Sequence, residues 1–152
     1  MDKSTKSINK NITIRCNDIT YLQAVMNLNR LIFRENRLIN RMDHDPLVIL
    51  TAHNDEQLVG FKVGYALSRH IFYSAKGAVL PLYRRQGIAT RLLLEMMTNA
   101  ASMGSRELRY DTFPALYPGM LILGLKLGFH IKFARWNPEY NDFQVRLYKK
   151  LK

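Results

Sequence analysis

The chain has 152 residues, with 23 Lys and Arg against 12 Asp and Glu, a net charge of +11 and 47% hydrophobic residues. That is one domain's worth of chain, and so apolar a composition excludes wholesale disorder, which needs low hydrophobicity as well as high charge. A lone Cys16 excludes a disulfide framework and thiolate-rich zinc sites; with histidines at 44, 53, 70 and 130 that never recur at i, i+4, no metal is expected.

The first residues, Met1-Asp2-Lys3-Ser4-Thr5-Lys6-Ser7, hold no apolar stretch of the kind a signal peptide needs. Nowhere do the roughly 18 uncharged apolar residues of a membrane span run together. A cytoplasmic protein without a membrane partner is expected. The positive charge raises the local concentration of anions, but it is scattered as Lys3, Lys6, Arg84-Arg85, Lys149-Lys150 and singles rather than gathered into a nucleic-acid-binding arm.

In chain order, residues 1–10 read as a flexible tail and Ile12 to Arg15 as a strand. Asp18 or Thr20 can cap a helix from Tyr21, whose apolar positions Leu22, Val25, Met26, Leu28, Leu31 and Ile32 follow a 3.6 period. Leu38, Ile39 and Met42 extend that period to the breaker Asp43-His44-Asp45-Pro46, so two helices or one bent helix are expected. Leu47 to Ala52 reads as a buried strand, His53 to Glu56 as a turn and Gln57 to Leu67 as the antiparallel partner, with Gly60 and Gly64 weakening the pattern. After a turn at Ser68-Arg69-His70, a strand runs from Ile71 to Leu80 and stops at Pro81.

Ile88, Leu92, Leu93, Met96, Met97 and Ala100 mark an amphipathic helix that Gly104 ends. Glu107 to Thr112 is a strand. Tyr117 to Leu127 is a helix with Pro118 in its first turn, and Phe129 to Trp136 and Phe143 to Tyr148 are strands about an Asn137 to Asn141 turn. The order implies an α+β protein (α/β in some schemes), one domain over 11–152 with a mixed, mostly antiparallel sheet flanked by helices.

The stretch from Gly77 to Thr90 carries the chemistry: a strand ends, a basic loop turns, and a long helix begins. The first four amides of a helix lack intrahelical partners and sit at the positive end of its dipole, so they hold a phosphate without side-chain specificity. Gly87 lets the phosphate approach the main chain, Ala89 keeps the next turn small, and Arg84 and Arg85 add charge-assisted bonds.

This loop resembles the Arg/Gln-x-x-Gly-x-Gly/Ala cofactor motif of the GNAT superfamily of N-acetyltransferases, matched by Arg84, Gly87 and Ala89. The preceding Val79-Leu80-Pro81-Leu82-Tyr83-Arg84 and the later Gly128-Phe129 fall where that family places them, and the likeness in element order covers about 12–150. The resemblance implies acetyl-CoA as co-substrate, its pyrophosphate held by the amides of Arg85, Gln86, Gly87, Ile88, Ala89 and Thr90. It implies pantetheine paired along Val79 and Leu80, and strands from Ile71 and Glu107 that splay around the thioester. A main-chain N–H near Leu80 would be the oxyanion donor, and an amine would attack without an acyl-enzyme. A homodimer through the last strands, with Trp136 as a contact residue, is also left open by this likeness.

The chain departs from the family at Gly124, where a tyrosine often protonates the leaving thiolate, and at Tyr117, where the family often has Asn. Tyr117 is the replacement candidate for the acid. For the base, Asp111 at the cleft end of its strand stands with Tyr73, Glu35, Asp43, His44 and His70. Phe72, Tyr73, Tyr83, Tyr110 and Phe113 fit strand packing, or stacking on nucleic-acid bases. The main expectation is N-acetyl transfer to a primary amine of a small molecule, peptide or protein. The alternatives are a non-catalytic acyl-CoA sensor and a basic nucleic-acid-binding module.

Overall fold

A computed structural model describes residues 11–152, so the tail expected at 1–10 lies outside the described residues. Seven strands form one sheet: β1 (Ile12–Cys16), β2 (Leu47–Asn54), β3 (Gln57–Ala66), β4 (Ile71–Val79), β5 (Glu107–Thr112), β6 (His130–Asn137) and β7 (Asp142–Lys150). Their spatial order is β1-β2-β3-β4-β5-β7-β6. Every neighbouring pair is antiparallel except β4 with β5, which is parallel. Three α-helices flank the sheet, α1 (Leu22–Phe33), α2 (Ile88–Ser102) and α3 (Pro118–Lys126). This is the α+β architecture expected.

The alternation of side chains along each strand sorts them onto two faces. Phe61 and Val63 of β3 meet Val25 and Leu28 of α1 on one face. On the other, Phe72, Leu108 and Leu147 meet Leu92, Leu93 and Met96 of α2, with Met120, Leu121 and Leu123 of α3 packed alongside. Each large apolar side chain buried this way stabilises the fold by about 1.5–3 kcal/mol.

The helical extension expected through Leu38, Ile39 and Met42 is absent. Arg34 turns left-handed at φ 56° and ends α1, and the buried Asn29 side chain donates to the carbonyls of Glu35 (3.0 Å) and Arg37 (3.3 Å), binding the chain into a loop. Leu38 still enters the α1 cluster, so the apolar spacing reflects packing without helix. Asp18 accepts from Thr20 N–H as a cap, but of the short 3₁₀ turn Ile19–Tyr21 that precedes α1. His53 and Asn54, expected in a turn, complete β2, and the hairpin closes through Asp55 and Glu56 alone. Other element ends differ from expectation by no more than two residues.

One pairing positions the site. β4 and β5 share only Ile71–Glu107, Phe72–Leu108 and Tyr73–Arg109. Beyond Tyr73 the strands part. In β4, Val63 faces Lys76 and Gly64 faces Ser74, which leaves Ala75 as a bulge, and a bulge bends and twists its strand. The result is the splay the family resemblance implied: a wedge whose point lies at Tyr73 and whose mouth opens toward Val79.

Candidate active site

At the mouth of the wedge β4 runs into a 3₁₀ turn, Pro81–Tyr83, then through Arg85 (φ 61°) and Gly87 (φ 80°) into α2. Among the described residues, no main-chain N–H from Arg85 to Thr90 has an acceptor; the next, Arg91, returns to Gly87 O at 3.0 Å. These amides form a continuous concave run at the positive end of a fifteen-residue helix. Gly87 is required by its left-handed backbone, and a Cβ there would meet nothing of the protein within 4 Å, so the space before the loop is free. A diphosphate fits this donor set.

Side chains hold the loop in place. The Tyr83 hydroxyl accepts from Asn54 Nδ2 at 3.0 Å and donates to Gln57 Oε1 at 3.3 Å, tying the loop to the β2–β3 hairpin. Arg84 Nε donates to Val79 O at 3.1 Å and Gln86 Nε2 to Leu82 O at 3.4 Å, so both brace the loop, whereas the Arg85 side chain is exposed. Leu80 N–H donates to Val59 O at 2.8 Å. Leu80's own amide is therefore spent on β3, and by alternation the groups of its neighbour Val79 and of Gly77 face the wedge.

Of the catalytic candidates, Asp111 and Tyr73 come together on the α1 face. Asp111 receives Arg146 in bidentate fashion (Nε to Oδ1 2.8 Å, Nη2 to Oδ2 3.0 Å) and Gln144 Nε2 at 2.7 Å. Only 9% of its side chain is exposed, so it is no free base: both oxygens are committed to fixing neighbours. The Tyr73 hydroxyl lies 3.4 Å from Asp111 Oδ2, and burial with that carboxylate pushes it far above the ordinary phenol range, so it keeps its proton. Tyr65 packs beside Tyr73 and stacks on His44 at 3.7 Å.

Tyr117 and Glu35 share the rim. Phe33, at the end of α1, meets Tyr117 edge-on at 5.7 Å, Lys76 Nζ lies over the Phe33 ring at 4.6 Å, and Lys76 pairs with Glu35. This group spans the wedge from β4 to α3. Burial, then Glu35, raises the Tyr117 hydroxyl. His70 is a turn residue whose carbonyl accepts from Arg106 and Glu107, and Asp43 pairs with Arg41 on the surface; neither reaches the wedge.

Gly124 is explained by its surroundings. A Cβ there would collide with the Tyr110 hydroxyl, which reaches under α3 and donates to Met120 O at 2.8 Å. Sequence reasoning missed Arg146 and Gln144, which nothing marks in a β7 of mixed composition. It also missed Lys62, a charge between Phe61 and Val63 in a central strand covered on both faces, where an apolar run is the rule.

A strand pair that parts beside a helix-capped run of free amides defines a protein that lays a phosphate-bearing ligand along an open sheet edge. A sequence model of the acetyltransferase (GNAT) domain matches residues 45–151, and the chain belongs to this family of acyltransferases. A GNAT family acetyltransferase from Elizabethkingia anophelis with acetyl-CoA bound shares the fold at TM-score 0.76, with 22% identity over 93% of this chain and 99% of that one. The ribosomal-protein-S18-alanine N-acetyltransferase of Escherichia coli does so at TM-score 0.74, with 16% identity over 93% and 94%. An aminoglycoside 6'-acetyltransferase type Ii superposes at TM-score 0.78, with 19% identity over 91% and 96%. No curated protein sequence matches the chain.

Proposed function

We propose that the protein transfers the acetyl group of acetyl-CoA directly to a primary amine. The observation that carries this reading is the unbroken run of unpaired amides from Arg85 to Thr90, continuous with the open edge of β4. Those amides hold the pyrophosphate, with Arg84 and Gln86 keeping the loop rigid. Val79 and Gly77 offer the pantetheine arm a strand edge to pair with, Leu80 flanks it, and a Val79 or Gly77 N–H faces the carbonyl oxygen. Acetyl-CoA supplies the activated acyl group when bound. The acceptor enters from the α1 face, where the Lys76–Glu35 pair, Tyr117 and Phe33 form the rim, and Tyr73, fixed by Asp111, borders the reacting carbon.

The similar structures carry different acceptors in their names, a ribosomal protein's alanine and an aminoglycoside, on one fold. Acceptor choice lies in the rim and in the 34–46 loop. A cytoplasmic location is part of the reading, supported by the unpaired Cys16 and by the lack, among the described residues, of any helix long and apolar enough to cross a membrane. A homodimer is also part of it, through the β6 edge of the sheet, where Trp136 and its β7 partner Phe143 are exposed.

CoA at a hundredfold its Kd stabilises the folded state by about 2.7 kcal/mol, a rise of roughly 5–10 °C in Tm for a domain this size. Gly87→Val is expected to abolish that rise while the protein without CoA still unfolds cooperatively. No rise in the parent protein, or an undiminished rise in the variant, would refute the cradle. Free-thiol release from acetyl-CoA across an amine panel then identifies the acceptor.

A further inference from the structure

Lys62 stands in the middle of β3, between Phe61 and Val63, with 5% of its surface exposed. Its neighbours point into the α1 cluster, so Lys62 points to the α2 face. Burial is costly for an ammonium, and the usual compensation is a carboxylate. Among the described residues Lys62 has none; its one partner is the Ser74 hydroxyl, to which Nζ donates at 3.1 Å. An ammonium carries three donors, so two are unspent.

The place is specific. Lys62 pairs across from Gly77, and the missing side chain there lets the lysine lie over β4, with Nζ 3.3 Å from where a Gly77 Cβ would stand. Ser74 is the first β4 residue past the last pair with β5, and the parallel register carried one step further would set it against Tyr110. The ammonium is therefore at the point of the wedge. Across from it, Gly124 offers no side chain and the Tyr110 hydroxyl spends its hydrogen bond on Met120 O. The structure holds a buried cation with spare donors where an anion must form when a thioester is cleaved.

We propose that the Lys62 ammonium holds the thiolate leaving acetyl-CoA. The inference rests on the acetyl-transfer reading above. As the amine nitrogen bonds to the acetyl carbon, the C–S bond breaks and its electron pair stays on sulfur, to which Lys62 Nζ donates a hydrogen bond. The amine's own proton goes to solvent, and the thiolate takes one from water as CoA leaves, so the sum is amide plus free thiol. Burial without a counter-charge lowers the Lys62 ammonium to about 8, so an anion formed beside it stabilises the charged lysine, and by the same coupling the lysine favours the thiolate.

The test uses CoA and desulfo-CoA, in which hydrogen replaces the thiol, with the parent protein and Lys62→Met. Desulfo-CoA should raise Tm equally in both, since the cradle is untouched. The ultraviolet thiolate absorbance of bound CoA is then titrated. In the parent protein the bound thiol should ionise about one pH unit or more below free CoA, and in Lys62→Met that displacement should vanish. Equal ionisation in the two proteins, with desulfo-CoA bound to both, overturns the role of Lys62 alone. Failure of desulfo-CoA to raise Tm in the parent protein overturns the cofactor reading instead. Lys62→Gln carries the same comparison should the methionine variant not fold.

Discussion

Lys62 and Asp111 show two opposite ways of keeping a charge inside this protein. Asp111 is matched by Arg146 and Gln144, so Asp111→Asn should cost about 1–3 kcal/mol by leaving the Arg146 guanidinium without its counter-charge, read as a lowered denaturation midpoint. Lys62 is unmatched, and its folded value of about 8 lies below the ordinary 10.5. Below pH 8 both folded and unfolded chains hold the proton and the cost is fully present. Between pH 8 and 10.5 the unfolded chain binds more protons, so stability rises with pH. Lys62→Met should therefore be more stable than the parent protein at pH 7, by on the order of 3 kcal/mol, and denaturant titrations should show the gap closing by pH 10.5. The lysine could be seen in the sequence as a charge inside an apolar strand. The Asp111–Arg146 pair could not, because its partners lie far apart in sequence and meet only through the β5–β7 register.

Among the elements, the strands and α2 were legible because their periods of two and 3.6 are enforced by a covered sheet. Residues 34–46 were not: Leu38, Ile39 and Met42 keep helical spacing in a loop, and the feature that decides the matter, the Asn29 side chain taking two carbonyls, has no local signature. The loop after β4 was legible in its glycine and its helix start, but which amide near Leu80 points into the wedge was not, since strand alternation depends on which residue β3 claims. Helix α3 was placed correctly, with Gly124 awkward in its interior. Contact with Tyr110 accounts for it. Gly124→Ala should lose about 1–3 kcal/mol through overpacking, although alanine favours helix. In a Tyr110→Phe background, where the hydroxyl is gone, the same change should cost markedly less, and a double-mutant cycle by denaturant unfolding measures the coupling.

For the molecule as a whole, the net charge of +11 suits an anionic cofactor, and its scattering over the surface predicts a CoA affinity that weakens with added salt without collapsing. The brevity of the β4–β5 junction has a larger consequence. Three residue pairs join a leaf made of β1 to β4 to a second leaf made of β5, β7 and β6. In the empty protein this seam is the weakest line across the sheet, and amides of β4 beyond Tyr73 should exchange with deuterium sooner than those of β3. A ligand arm lying in the wedge acts as a tie across both leaves, so its arrival should slow exchange along the whole length of the seam rather than only where phosphate touches.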